Sequence, residues 1–113
     1  MKYLKTYENF MDLKFKDLKE YILLKRGDSG GFDIFKISKK NFNNIEPKCK
    51  VRRIYTISNK GIKKIQDLNK TKTVDDLYIR FRFIIEYMVD HSDDIDKLLE
   101  IAELKIATKK YNI

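Results

Sequence analysis

The chain has 113 residues and a mass of 13.6 kDa, with 42% hydrophobic, 12% aromatic and 37% charged residues. That is material for one small core and too apolar a mixture for a disordered chain. Twenty-five Lys and Arg against 17 Asp and Glu leave a net charge of +8, which points to polyanions, acidic protein faces or anionic lipid as partners. One cysteine, Cys49, and one histidine, His91, exclude a disulfide scaffold and the standard four-ligand zinc patterns.

Tyr3, Leu4, Tyr7, Phe10 and Met11 recur at three- and four-residue spacing, predicting a short amphipathic helix or docking arm before Asp12. Tyr21 to Lys25 is a β-prone run that stops at the glycine-rich turn Arg26-Gly27-Asp28-Ser29-Gly30-Gly31, and Phe32 to Ile37 returns as its hairpin partner. A polar loop follows over Ser38 to Lys48, where Pro47 favours extended backbone at Glu46. Val51 to Ser58 alternates as a strand, Asn59-Lys60-Gly61 marks a tight turn, and Ile62 to Ile65 comes back.

From Ile79 the alternate positions Ile79, Phe81, Phe83, Ile85, Tyr87 and Val89 are all apolar or aromatic, which predicts one long strand preceded by a helical turn over Val74 to Leu77. The competing pattern, Thr73 with Asp76 as a capping box and Val74, Leu77, Phe81, Ile84, Ile85 and Met88 as a helical stripe, leaves Ile79, Phe83, Tyr87 and Val89 off the stripe. A helix from Asp93 to Thr108 closes the chain, capped by Ser92 or Asp93, with Ile95, Leu98, Leu99, Ala102 and Ile106 on one face. Together these elements imply an α+β domain of about five antiparallel strands, a small bent sheet or Src-homology-3-like barrel, with a C-terminal helix. The expected division is an arm or short helix over 1–19, sheet over 20–91 and helix over 92–109.

Several short motifs invite chemistry. Gly27-Asp28-Ser29-Gly30-Gly31 matches the nucleophile motif of chymotrypsin-like serine proteases, but no histidine precedes Ser29 to take its proton, so the segment reads as a turn. Arg26-Gly27-Asp28 spells an adhesion tripeptide, and Asn69-Lys70-Thr71 a glycosylation sequon, in a chain whose start lacks a signal-peptide core. His91 with Asp90, Asp93 and Asp94 is a cluster of metal- or proton-binding types that reads as a helix start selecting acids. No catalytic constellation, metal or cofactor is expected. The longest apolar runs, Ile22 to Leu24 and Phe83 to Ile85, fall far short of a membrane span.

The basic residues carry the strongest signal. Residues 1–73 have a net charge of +11 and residues 74–113 one of −3, and no acid interrupts the stretch from Lys48 to Lys64. Lys48, Lys50, Arg52, Arg53, Lys60, Lys63 and Lys64 surround Tyr55 there, with Arg80 and Arg82 placed to extend the patch. Cations interleaved with an aromatic suit a phosphate-tracking groove in which Tyr55 offers a stacking face. The same residues would equally make a solvated, lysine-protected edge strand.

The opening Met-Lys-Tyr-Leu-Lys-Thr-Tyr-Glu-Asn-Phe, with Tyr21 to Lys25, Phe32 to Ile37 and Ser92-Asp93-Asp94-Ile95, resembles small uncharacterised proteins of large tailed phages and related environmental viruses. Its Lys-Thr-Tyr-x-x-Phe core is similar to phage capsid-targeting leaders, with Asn9 where those have an acid. Arg53 to Gly61 locally resembles the wing of winged-helix DNA-binding regulators, which implies helices at Leu18 to Lys25 and Val74 to Asp90. The expectation is a non-enzymatic viral or mobile-element binding protein, found in host cytoplasm or virion and not secreted. It acts on nucleic acid or on an acidic host protein surface, without membrane, through Lys50, Arg52, Arg53, Tyr55, Lys60, Lys63, Lys64, Arg80 and Arg82. A winged-helix regulator and a virion structural component are the alternatives.

Overall fold

The computed structural model describes residues 13–27, 30–39, 48–65 and 76–111. In chain order they form a 3-10 turn (Phe15–Asp17), β1 (Tyr21–Arg26), β2 (Gly31–Ser38), β3 (Lys48–Ser58), β4 (Gly61–Lys64), β5 (Asp76–Arg80), α1 (Phe81–Tyr87), β6 (Met88–Ser92) and α2 (Ile95–Tyr111). The expected arm before Asp12, residues 40–47 of the expected loop with its Pro47, and residues 74–75 of the expected helical turn lie outside the described residues, whereas Asp76 and Leu77 of that turn are strand β5.

The sheet is open, antiparallel and six-stranded, in the order β4-β3-β2-β1-β6, with β5 also paired to β3. It is not a closed barrel, and it has six strands where about five were expected. The two hairpins arise locally. Arg26 pairs with Gly31 across the first turn, where Gly27 and Gly30 take φ of +22° and +78°, values that L side chains rarely adopt. Ser58 pairs with Gly61 across the second.

Strand β3 is twice the usual length and divides its outer edge between two partners. Residues Tyr55 to Ser58 pair with β4, and Lys48 to Arg52 pair with β5. Against β2, Ile34 pairs with Tyr55 and Phe35 with Arg53, so Ile54 is an extra residue in the ladder. This bulge reverses the alternation of side chains along β3.

Alternation divides the apolar residues into two cores. On one face Leu23, Phe32, Ile34 and Ile57 pack against Leu98 and Ala102 of α2, with Ile95, Leu99 and Ile106 alongside. The helical face read from the sequence is thus the one buried. Its start lies two residues later than expected, and the cap is Asp94, whose Oδ1 accepts the Asp96 N–H at 3.0 Å. On the other face Ile22, Leu24, Phe35, Ile37, Cys49 and Val51 are covered by Ile84 and Met88, with Phe81 and Tyr87 packed beside them. Phe15 of the 3-10 turn meets Phe81 edge to face, ring centroids 5.9 Å apart.

The expected long strand over Ile79 to Val89 is therefore corrected to strand, helix, strand. Phe81, Ile84 and Met88 lie at helical spacing and reach the second core together, whereas one continuous strand would have left six apolar side chains of that face open to water. Burial of that surface, at about 25 cal/mol per Å², outweighs the β propensity of seven residues. The β5-α1-β6 unit also carries the chain from one edge of the sheet to the other. The winged-helix arrangement is overturned by the same elements, since Tyr21 to Lys25 is strand β1 and, among the described residues from Asp76 to Asp90, only Phe81–Tyr87 is helical. The hairpin of β3 and β4 that resembled a wing is present, but it belongs to the six-stranded sheet.

Candidate functional site

Directly opposed residues of an antiparallel ladder share a face, so the register of β2, β3 and β5 places the basic residues. Lys36 and Arg52 form one row, Ser38, Lys50 and Tyr78 the next, and Lys48 and Arg80 the last. Their neighbours Phe35, Ile37, Cys49, Val51 and Ile79 belong to the second core, so these rows lie on the opposite face, beside the area that α2 covers. Their Cα atoms stand about 5 Å apart across strands and about 7 Å apart along them. Tyr78 is 63% exposed, Lys36 and Arg80 are exposed, and Lys48, Lys50 and Arg52 are half-buried. Lys36 also pairs with Glu20 at 3.4 Å, both side chains in solvent, a contact worth at most about 1 kcal/mol.

The residues expected to form a single patch are divided by the fold. Lys50, Arg52 and Arg80 share the platform just described. Tyr55 lies on the same face of the sheet but packs into the α2 core, with the Lys64 ammonium 5.8 Å from its ring centroid. Lys60 sits at the β3–β4 turn, and Lys63 pairs with Thr56. Arg82 is exposed on α1. Arg53 goes to the other face, because the bulge at Ile54 aligns it with Phe35, and its guanidinium carbon lies 5.6 Å from that ring centroid. Sequence reading missed Lys36 and Tyr78, which join the platform only through strand pairing. The available signal for Tyr78 was an aromatic alternating with Ile79 two residues before Arg80.

Arg53 takes part in a second polar group. Asp33, 6% exposed on β2, lies 3.5 Å from Arg26 Nε and 3.9 Å from Arg53 Nε, and its Oδ1 accepts a 3.0 Å hydrogen bond from Thr56 Oγ1. Asp33, Arg26 and Arg53 line a cleft of about 620 Å³ with Leu24, Phe35, Leu77 and Phe83.

The His91 and aspartate cluster is occupied with backbone. His91 Nδ1 accepts the Lys19 N–H at 3.0 Å, Asp93 Oδ1 accepts the Glu20 N–H at 2.9 Å, and Asp90 Oδ1 accepts the His91 N–H at 2.8 Å. Burial pushes His91 below its ordinary 6.5, against the raising effect of Asp90, so at neutral pH it is the uncharged acceptor this bond requires. Among the described residues no three His, Cys, Asp or Glu side chains gather in a metal-binding arrangement. Cys49 is fully buried, and desolvation pushes its thiol up to about 12. Ser29 lies outside the described residues. No helix of the described residues is long and apolar enough to cross a membrane. No family model, curated protein or solved structure matches this chain.

Proposed function

We propose that this protein is a non-enzymatic, virus- or mobile-element-encoded binding protein that holds single-stranded nucleic acid on the open part of its sheet. The observation that carries the reading is the register of β2, β3 and β5, which gathers Lys36, Lys48, Lys50, Arg52 and Arg80 around the exposed ring of Tyr78. Cations at such spacing track a phosphate backbone, and an aromatic standing out of a sheet stacks a base of any identity. Binding is then tolerant of sequence and sensitive to salt.

The test is fluorescence anisotropy of a labelled single strand at several salt concentrations. Reversing Lys50 and Arg52 together to Glu removes two phosphate contacts and flattens the salt slope by about 1.4, at about 0.7 per contact for single strands. Tyr78→Ala weakens binding by about 1–3 kcal/mol without changing that slope, because stacking releases no counterions. No binding by the unaltered protein at low salt overturns the proposal and leaves an acidic host protein surface as the platform's partner.

A further inference from the structure

The cleft on the opposite face has a composition that the platform does not explain. Its floor is apolar, formed by Leu24 and Phe35, each 3% exposed, and residues Leu77 to Arg80 of β5 wall one side. Phe83 of α1 borders it with 45% of its surface exposed, held against Tyr87 at a ring separation of 4.5 Å. Its charged lining is mostly cationic, since Arg26, Arg53, Lys25 and Arg80 line the cleft with Asp33 as the one carboxylate among the described lining residues.

Arg53 is fixed there. Its guanidinium lies over the Phe35 ring at 5.6 Å and its Nε is 3.9 Å from Asp33. That Nε is buried and makes no hydrogen bond, while 32% of the side chain remains exposed. The group is therefore positioned by stacking and charge, with donor capacity left over. A planar guanidinium placed between an aromatic ring and a carboxylate suits two parallel bonds to an oxyanion.

A volume of about 620 Å³ falls within the range of small-ligand sites, which pair an apolar surface with a few placed polar groups. An exposed aromatic and an excess of cations in one lining suit a ligand with a flat ring and a dianionic group. We propose that this cleft binds a ring-bearing phosphate of the nucleoside monophosphate class, its phosphate on Arg26 and Arg53 and its ring against Phe83. The residues assigned to the phosphate and the ring, Arg26, Arg53 and Phe83, are not platform residues, although Tyr78 and Arg80 of the edge strand border both sites.

The experiment is a titration followed by amide chemical shifts, using adenosine monophosphate, uridine monophosphate, adenosine and inorganic phosphate. Both monophosphates are expected to shift residues Leu24 to Gly27 and Leu77 to Phe83, with adenosine and phosphate about tenfold weaker or more. Arg53→Lys keeps a cation beside Asp33 but loses the planar fork, and Phe83→Ala removes a partly exposed ring. Each is expected to weaken adenosine monophosphate about tenfold while leaving the unfolding transition cooperative. Lys97→Gln, on the exposed side of α2, leaves binding unchanged. Absence of shifts at millimolar ligand overturns the proposal, as does inorganic phosphate binding as tightly as the monophosphates. Shifts confined to Lys48 to Arg52 overturn it as well, and they would assign the ligand to the platform. Unaltered affinity in both variants has the same consequence for the cleft.

Discussion

Thr56 Oγ1 donates a 3.0 Å hydrogen bond to Asp33 Oδ1 from the position directly opposite it in the β2–β3 ladder. Asp33 is buried, and its other oxygen faces Arg26 and Arg53, so one side chain reconciles two arginines with an otherwise apolar face of the sheet. A buried carboxylate is tolerated only when its oxygens are satisfied in this manner.

Removing the carboxylate takes the acceptor from the Thr56 hydroxyl and a counter-charge from Arg26 and Arg53. Asp33→Ala is expected to cost about 2 kcal/mol, less than the loss of a fully buried pair because the arginine side chains are 42% and 32% exposed. In a double-mutant cycle, Asp33→Ala combined with Thr56→Val costs less than the two single changes added together. Urea unfolding of the four proteins measures this, and strict additivity would show that the hydrogen bond contributes nothing.

Gly31 opens β2 where a Cβ would stand 2.8 Å from the Ile57 carbonyl oxygen. That oxygen belongs to the backbone of a central strand, and it cannot move aside without disturbing the pairing of Phe32 with Ile57. Gly31→Ala is expected to destabilise by about 2 kcal/mol. Gly61→Ala meets no atom within 4 Å but retains a φ of +128°, so its cost is backbone strain of about 1–3 kcal/mol. Thermal melts of both variants check these values.

Cys49 is predicted to be inert in the native protein, because burial and a thiol pushed up to about 12 leave almost no thiolate at neutral pH. A disulfide reagent should modify it only after urea unfolds the chain. Rapid labelling in buffer would mean that the edge where β5 pairs with β3 opens readily. Cys49→Ser buries a hydroxyl in the same place and is expected to cost about 1–3 kcal/mol.

His91 makes stability depend on pH. The unfolded chain takes up a proton near the ordinary 6.5, whereas the folded residue, lowered mainly by desolvation and by Lys19 and Lys39 against Asp90 and Asp93, takes it up at more acid pH. Its contribution is complete above 6.5 and is lost as pH falls through the lowered folded value. Protonation at Nδ1 also breaks the bond from the Lys19 N–H. Urea midpoints of the unaltered protein should fall more steeply between about pH 7 and pH 5 than those of His91→Gln. Parallel curves would remove His91 from the account.

Local chemistry in the sequence determined most of the elements. Glycine-containing turns at Gly27 to Gly31 and at Gly61 set two hairpins, and Ile95, Leu98, Leu99, Ala102 and Ile106 marked the face that α2 buries. Each depends on residues a few positions apart, so composition and spacing sufficed. Of the candidate site, the sequence supplied the residue types but not their grouping.

Tertiary structure decided the rest. Phe81 to Tyr87 has nearly equal claims as strand and helix, and the need to cover Ile22, Leu24, Phe35, Ile37 and Val51 chose the helix, a demand made by residues some thirty to sixty positions away. The face on which each cation stands was equally non-local. One extra residue, Ile54, sends Arg53 to Asp33 and the cleft while Lys50 and Arg52 stay on the platform with Tyr78. A bulge is a property of two paired strands, and neither strand alone carries it.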